Sequence, residues 1–341
     1  MELSLHRVVL RFAQPVVSAY GVLGYRELIE VTLTDPDGLA GCGEAAPLEP
    51  YDGVSLERTL AALEAYRPVL AAQPRSSAGS LLDRCRDVDE LPQALAAIDL
   101  ALWDLAGKRS GRPVCELLSD APAAAIAVNA SIAAAAPEQA AQAAAKAVAA
   151  GYSCVKLKVG FDDDAARVAA VREAIGADTA LRLDANGAWT PAQAERMLTE
   201  LGRHGLELVE EPVHGLADTR ALRERAAVRI AIDETAALAG ALTARVADAV
   251  CLKISRCGGI GGLLAAAALV RASGADVYLA SSYDGPLGIA AALHAAAALA
   301  PLPPCGLATL ELFAQPPDVM AVLLGEIAVP RAPGLGVAGL S

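Results

Sequence analysis

Three acidic residues, each at the end of a short aliphatic run, could together hold a metal ion. They are Asp184, Glu210 and Asp233. Carboxylates that are buried together repel one another unless a cation offsets their charge. One oxygen ligand from each of three successive runs, with no Cys or His nearby, suits a hard divalent ion. The sequence therefore predicts Mg²⁺ at this site, with Mn²⁺ as a substitute.

Lysines at two further runs could move a proton beside that metal. Lys156 and Lys158 are two residues apart, which places both on one face of a strand, and Lys253 follows another run. A metal-bound carboxylate would stabilise the enediolate that forms when the neighbouring carbon loses its proton. A nearby ammonium favours the neutral form of a lysine, so we expect one amine of the pair to have a lowered pKa. Lys253 could act as a second base, an acid or a fixed positive charge.

Each of these motifs also has a structural explanation. A Lys-x-Lys pair is usually part of a solvated strand, and Glu210 could simply end a strand before a turn. Asp233 could cap a helix, and Lys253 could form a Schiff base with a carbonyl substrate. The motifs occur in order at five successive predicted strand ends. That joint occurrence favours one shared catalytic site.

Parallel βα units are predicted to position these residues, because the apolar runs alternate with stretches of helical length. The predicted fold class is α/β: a (β/α)8-type, TIM-like modified barrel with an N-terminal α+β capping domain. The ends of the strands in such a barrel face one common mouth. Strands are predicted at 126–131, 154–158, 180–184, 206–210, 229–233, 249–253, 276–281 and 306–311, and helices at 137–150, 163–175, 191–203, 216–225, 238–246, 260–273, 286–299 and 317–324.

The predicted domains are a cap at 1–123, a barrel at 124–325 and a tail at 326–341 that returns to the cap. In the cap, alternation and turn residues predict three antiparallel strands, and helical spacing predicts helices that include one capped by Ser55. Asp99 and Asp104 on the second helix are expected to be solvated or paired structural charges. The predicted strands and helices of the cap are 3–12, 27–34, 39–44, 55–72 and 91–109.

Two cap segments lack a regular pattern. Residues 18–24 contain two glycines, and residues 47–53 include Tyr51. Such segments are expected to be mobile loops that fold over a site. They should therefore contact the substrate.

Composition excludes several classes of partner. The formal net charge is −12, which argues against nucleic acid or an anionic membrane. The seven cysteines are scattered and form no Cys-x-x-Cys pair, so we expect reduced core thiols in a cytoplasmic protein. The N-terminus has no basic region followed by an apolar core, and no signal peptide is predicted.

The ordered motifs resemble those of the enolase superfamily, muconate lactonizing enzyme subgroup, over nearly the whole chain. Members of this superfamily use a Lys or His base with Mg²⁺ on the enediolate. The resemblance implies a small carboxylate substrate and an assembly of identical subunits. It assigns metal binding to Asp184, Glu210 and Asp233, the base to Lys158, a helper role to Lys156 and the opposite position to Lys253. The motifs are Lys156-Leu157-Lys158, Asp184-Ala185-Asn186-Gly187, Glu210-Glu211-Pro212, Asp233-Glu234-Thr235 and Lys253 to Gly259.

The resemblance leaves the reaction open among several chemistries. Residues 281–288 and 305–310 are similar to actinobacterial-type o-succinylbenzoate synthases, which favours a syn dehydration. Dipeptide epimerases usually carry Asp-x-Asp on the eighth strand, where this chain offers only Glu311, so a dipeptide or N-acylamino acid epimerase comes second. A cycloisomerase comes third, and a carboxylate-binding barrel without turnover is the alternative from another class. The expected substrate-binding residues are Asn186, Tyr283 and Asp284.

Overall fold

The N-terminal part of the chain forms an antiparallel sheet. The computed structural model describes residues 1–18, 21–73, 76–133 and 136–340. Strands β1 (Glu2–Ser18), β2 (Gly21–Thr34) and β3 (Ala40–Ala45) pair in that order. The Asp35 carboxylate accepts from the backbone N–H of Asp37 and of Leu39, which closes the predicted turn.

Both cap segments that were expected to be loops have regular structure. The described residues of 18–24 continue the β1–β2 hairpin, while residues 19 and 20 lie outside the described part of the chain. Residues Glu49–Asp52 form the short helix α1. Cross-strand pairing of Val16 and Val17 with Leu23 and Val22 extends the hairpin beyond the predicted strand end.

Four more helices complete the cap. Ser55 accepts from the backbone N–H of Arg58 and so caps the first of them, as predicted. A Cβ at Gly43 would lie 2.0 Å from the carbonyl oxygen of Ala97, so only glycine allows the sheet and the long helix to approach so closely. The four helices are α2 (Leu56–Ala72), α3 (Ala78–Val88), α4 (Pro92–Ser110) and α5 (Val114–Leu118).

The second part of the chain is built on a seven-stranded parallel sheet, and the predicted fold class is confirmed. Isolated bridges from Cys305 to Val128 and from Gly306 to Ala280 join its two edges. The sheet order is β11-β10-β9-β8-β7-β6-β5. The strands from 125 onward are β4 (Ala125–Ala127), β5 (Ala130–Ile132), β6 (Cys154–Lys158), β7 (Ala180–Asp184), β8 (Leu208–Glu210), β9 (Ile230–Ile232), β10 (Ala249–Leu252), β11 (Asp276–Leu279), β12 (Val322–Leu323) and β13 (Glu326–Ala328).

Helices on the outside connect the strands, but two predicted helices are absent from the described chain. Residues 238–246 form turns after a 3-10 segment at Glu234–Ala237, because Gly240 and Arg245 have φ of 83° and 44°. Residues 317–324 end in β12, which pairs with β13. The helices that do form are α6 (Pro137–Ala149), α7 (Asp164–Ile175), α8 (Pro191–Leu201), α9 (Leu216–Arg223), α10 (Ile260–Ser273) and α11 (Pro286–Leu299).

The predicted first and eighth strands of the barrel are also shorter than expected. The 126–131 segment is divided between β4 and β5, and β4 pairs with β13 rather than with the barrel. In the 306–311 segment only Gly306 forms a bridge, and a 3-10 turn at Leu310–Leu312 follows. Alternation of residue types does not predict which strand a short strand will pair with.

The tail and the cap share a core with the barrel. The backbone N–H of Leu335 donates to the Asp104 carboxylate, and that of Leu340 donates to Glu30. One hydrophobic cluster contains Phe12 and Leu100 of the N-terminal part together with residues of β10 and α11. The predicted boundaries at 123 and 325 stay a prediction.

Asp99 and Asp104 were expected to be solvated or paired, and both are buried. Asp99 accepts from the backbone N–H of Ile260 at 2.5 Å, at the start of α10, and Asp104 pairs with Lys108. Their roles are structural, but neither side chain is solvated. In the part of the chain that the structure describes, no helix has both the length and the apolar character needed to cross a bilayer.

Candidate active site

Parallel pairing aligns the predicted metal ligands at one end of the sheet. Lys158 pairs with Asp184, and Asp184 pairs with Glu210, so consecutive strand ends lie side by side. Asp233 follows β9, the next strand of the sheet. The three carboxylates are 1%, 0% and 6% exposed. The structure therefore brings the predicted ligands together in a buried cluster.

The predicted lysines neutralise this cluster. Nζ of Lys156 lies 2.9 Å from Oδ2 of Asp184 and 2.8 Å from Oε1 of Glu210. Nζ of Lys158 lies 2.5 Å from the same Asp184 oxygen and 2.7 Å from Oδ1 of Asn186. Lys253 forms an ion pair with both oxygens of Asp233.

Lys158 and Lys253 approach the cluster from opposite directions. Lys158 ends β6 and Lys253 follows β10, and three strands of the sheet, β7, β8 and β9, lie between β6 and β10. In the other direction around the barrel, β6 and β10 are separated by β5, the bridges at 305–306 and β11. We call the group around Lys158 the β6–β7 side of the pocket and the group around Lys253 the β9–β10 side. The β6–β7 side comprises Lys156, Lys158, Asp184 and Asn186, and the β9–β10 side comprises Asp233, Lys253, Arg256 and Tyr51.

The carboxylates of the cluster act on Lys156 in the direction opposite to the lowered pKa that was expected for one amine of the lysine pair. Burial disfavours a charged Lys156, but Asp184 and Glu210 outweigh it and raise the pKa of this amine well above its ordinary value. Burial likewise opposes ionisation of Asp184, yet Lys156 and Lys158 hold the pKa of Asp184 below its usual range. Burial, reinforced by Asp184 and Asp233, raises the pKa of Glu210. The expectation considered only the ammonium of the neighbouring lysine, whereas the nearby carboxylates dominate the electrostatic field at Lys156.

The donor set fits a divalent cation. One oxygen each of Glu210 and Asp233 and the thiol of Cys251 lie within 4.8 Å of one another, and Lys156 joins Asp184 to Glu210. Carboxylate oxygens that converge at this spacing are the ligands that hard divalent cations prefer. The presence of the Cys251 thiol corrects the expectation that no Cys lies nearby. Cys251 precedes Lys253 by two residues, so strand alternation could have revealed it.

Several groups that sequence reasoning missed hold the carboxylates in place. The hydroxyl of Tyr278 donates to Oε2 of Glu210 at 2.7 Å. The buried Glu211 carboxylate accepts from the backbone N–H of Asp233 at 2.8 Å and of Thr235 at 3.0 Å. Glu211 has a φ of 42°, an uncommon conformation for a residue with a side chain. The turn after β8 and the turn after β9 are thus fixed relative to each other.

Tyr51 of the cap reaches into the same cluster. Its hydroxyl donates to Oδ1 of Asp233 at 2.7 Å and lies 2.8 Å from both Nζ of Lys253 and Nη1 of Arg256. The ring centroid is 4.5 Å from Nζ of Lys253. The sequence placed Tyr51 in a loop that covers a site but gave no sign of its partner.

A cavity of about 430 Å³ opens above the cluster and is lined by both the cap and the barrel. Most of its outer lining is apolar, and Glu311 is the one charged group among the described lining residues outside the lysine and carboxylate cluster. Tyr283, predicted to contact substrate, lines this cavity with a φ of 58°, and its ring meets that of Phe12 edge-on. Apolar cap residues of the lining are Val16, Val17, Leu23 and Leu48.

Two other predicted substrate contacts differ in their outcome. Asn186 lines the cavity and links Lys158 to Glu234. Asp284 is not among the described lining residues, and its contact with substrate stays a prediction. Its side chain is buried, and the charge of Arg26 acts on it from the cap. Tyr283, which has a positive φ, lines the cavity, whereas Asp284, the next residue in the chain, is not among the described lining residues.

Comparison with known proteins agrees with this architecture. Residues 1–119 match the family described as "Mandelate racemase / muconate lactonizing enzyme, N-terminal domain". Residues 138–339 match the family described as "Enolase C-terminal domain-like". The chain belongs to the enolase superfamily.

Relatives within the superfamily carry different activities. The chain is 30% identical to the hydrophobic dipeptide epimerase of Enterococcus faecalis over 304 residues, which covers 85% of this chain and 84% of the relative. It is 39% identical to the o-succinylbenzoate synthase of Thermobifida fusca, but over 196 residues, 54% of this chain and 60% of that one. A crystal structure of dipeptide epimerase from E. faecalis, complexed with Mg and L-Leu-L-Tyr, superposes with a TM-score of 0.90, 26% identity and 99% coverage of both chains. This superfamily member is therefore an enzyme whose closer likenesses include epimerases and a synthase.

Proposed function

We propose that this enzyme epimerises or racemises the α-carbon of a small carboxylate of the dipeptide or N-acylamino acid type. The observation that carries the proposal is the pair of amines, Lys158 and Lys253, that line one cavity from opposite sides. Inversion of a carbon centre needs a base on one face and an acid on the other. Two lysines in these positions supply both.

The two lysines account for both proton transfers of this reaction. One neutral amine removes the α-hydrogen as a proton, and the electron pair of the broken C–H bond moves onto the substrate carboxylate. The ammonium on the opposite face then returns a proton to the carbon. At the end of one turnover the protonation states of Lys158 and Lys253 have exchanged, and the next substrate of opposite configuration restores them.

Asp184, Glu210 and Asp233 are proposed to hold Mg²⁺. The buried, closely spaced carboxylates support this assignment, and the related E. faecalis epimerase was crystallised with Mg. When bound, the cation supplies positive charge that offsets the charge developing on the substrate carboxylate. Tyr278 and Glu211 hold the carboxylates at the required spacing.

The cavity lining favours a substrate with an apolar side chain. Val17, Leu23 and Leu48 form part of the cap-side lining, and a second carboxylate on the substrate would find no cation among the described lining residues outside the cluster. Glu311 offers a partner for a substrate amine. The lack of Asp-x-Asp in the 307–313 segment argued against an epimerase from sequence alone, and the epimerase relatives now outweigh that argument.

A second candidate is the o-succinylbenzoate synthase reaction that the sequence favoured. The observation in its favour is the 39% identity to the T. fusca synthase. A syn dehydration can use one lysine for both proton removal and protonation of the departing hydroxide, with Lys253 as a fixed charge. That relative matches over a shorter part of the chain, so the synthase comes second.

The test is incubation of the Mg²⁺-loaded enzyme in heavy water with single stereoisomers. Substrates are apolar dipeptides, N-succinylamino acids and the cyclohexadiene carboxylate substrate of the synthase, each followed by NMR. We expect inversion and deuterium uptake at the α-carbon of a dipeptide or N-acylamino acid. Turnover of the cyclohexadiene carboxylate alone would replace the proposal with the second candidate.

A further inference from the structure

Tyr51 connects the cap to one of the two lysines. It lies in α1, and its hydroxyl lies within 2.8 Å of Nζ of Lys253 and of Nη1 of Arg256. The ring also lies over the Lys253 ammonium. Because α1 belongs to the cap and Lys253 follows a barrel strand, this contact crosses between the two parts of the chain.

Lys158 is held in a different way. Its hydrogen-bond partners, Asp184 and Asn186, end and follow β7, the strand next to its own. The position of the Lys158 amine is therefore set by the sheet. The position of the Lys253 amine is set by Asp233 and by a cap residue.

The hydroxyl of Tyr51 gains importance when the carboxylates bind a cation. Asp233 would then share its charge with the cation and would attract the Lys253 ammonium less. A lysine side chain has four rotatable bonds and loses considerable conformational entropy when it is fixed. Tyr51 has a rigid ring, and its hydroxyl also accepts from Nη1 of Arg256.

We propose that Tyr51 is a positioning residue that aims the Lys253 amine at the substrate, so that the half-reaction carried out by Lys253 depends on the cap. This inference rests on the proposed epimerase function. It predicts an asymmetry: loss of the Tyr51 hydroxyl should impair proton transfer on one face of the substrate and leave the other face unchanged.

The kinetic test measures exchange of the α-hydrogen into each stereoisomer separately, in heavy water with saturating substrate and Mg²⁺. Lys253→Arg first identifies the isomer that faces Lys253, because that isomer loses exchange. Tyr51→Phe should then reduce exchange of this isomer about tenfold, the effect of one hydrogen bond to a charged group. Exchange of the isomer that faces Lys158 should stay at the wild-type rate.

Tyr152→Phe is the matched control, because Tyr152 also lines the cavity but its hydroxyl lies near Glu311. It should leave the ratio of the two exchange rates at the wild-type value. An equal decrease for both isomers in Tyr51→Phe, or no decrease for either, overturns the positioning role.

A second measurement does not depend on turnover. Metal-free protein is methylated with formaldehyde and cyanoborohydride, and labelling of Lys253 relative to Lys158 is read by peptide mass spectrometry. Tyr51→Ala should raise this ratio severalfold, because the ring no longer covers the Lys253 amine, and an unchanged ratio overturns the inference. If the wild type exchanges neither isomer, the proposed function fails, whereas the labelling ratio still decides the role of Tyr51.

Discussion

The β6–β7 and β9–β10 sides of the pocket hold similar groups but are built differently. On the β6–β7 side, the lysines and their partners come from two paired strands and the turn after them. On the β9–β10 side, Asp233, Lys253 and Arg256 meet Tyr51 from the cap. Two groups that share one reaction can therefore differ in what keeps them in place. The β6–β7 side depends on sheet register, and the β9–β10 side depends in addition on how the cap docks.

Removal of a predicted metal ligand should have the largest effect. It should impair both sides of the pocket equally, because both act on a substrate whose carboxylate is bound at the same metal site. Asp184→Asn, Glu210→Gln and Asp233→Asn should each lower turnover about a thousandfold or more, equally for both isomers. Circular dichroism should show a folded protein. Asp276→Asn, an exposed carboxylate at the other end of β11, is the control. Full activity after thorough chelation would contradict the prediction.

Removal of one lysine should separate the two sides. Lys158→Ala should lower α-hydrogen exchange of one isomer by about 10²- to 10⁴-fold, and Lys253→Arg should do the same for the other isomer. Arginine keeps the charge at 253 but does not give up its proton. NMR in heavy water measures both rates. If either variant lost exchange of both isomers, the assignment of one lysine to each face would be wrong.

A buried acidic group within the cap, Glu44 of β3, should make the stability of the protein depend on pH. Arg26 donates to the carbonyl oxygens of Ala46 and Pro47, just before the helix that carries Tyr51. Beside it, burial and the neighbouring Asp284 raise the pKa of Glu44 to about 8, against the opposing N–H of Gly285 and with a further contribution from Glu30. Burial, opposed by Arg26, raises the pKa of Asp284 to about 6.

Because its pKa is higher in the folded state, the contribution of Glu44 to stability is complete below about pH 4.5 and lost as the pH rises through about 8. The free energy of unfolding should therefore fall between pH 5 and pH 9 by about 4 kcal/mol more in the wild type than in Glu44→Gln. Urea denaturation at a series of pH values measures this. Glu57→Gln, an exposed cap carboxylate, should keep the wild-type slope. Equal slopes in the wild type and Glu44→Gln would refute the prediction.

The smallest expected effect concerns Glu311, which lines the same cavity and accepts from the hydroxyl of Tyr152. Glu311→Gln should raise KM about threefold for a dipeptide with a free amine, because an exposed charge pair contributes little. KM for the matching N-acetylated substrate should not change. A similar change for both substrates would show that Glu311 does not recognise the amine.

Local pattern predicted the strands that carry the predicted metal ligands and lysines better than it predicted other elements. The strand ends at Lys158, Asp184 and Glu210 were predicted correctly because buried aliphatic runs are short and distinct. The predicted helix at 238–246 failed where two residues take positive φ, and the predicted strand at 306–311 failed where only one ladder contact forms. The pairing at Gly306 depends on a contact distant in sequence, which residue periodicity does not contain.

The sequence by itself determined which residues could share a site. Residues that end adjacent parallel strands must lie side by side, whatever the rest of the fold does. Only the tertiary structure decided that Asp284 faces the cap and that Tyr51 contacts Lys253. It also decided that Lys156 has a raised pKa, since that pKa depends on the distances to carboxylates on other strands. Strand alternation fixes which face a side chain lies on, whereas contact between distant segments and the local electric field depend on how the cap and the barrel pack.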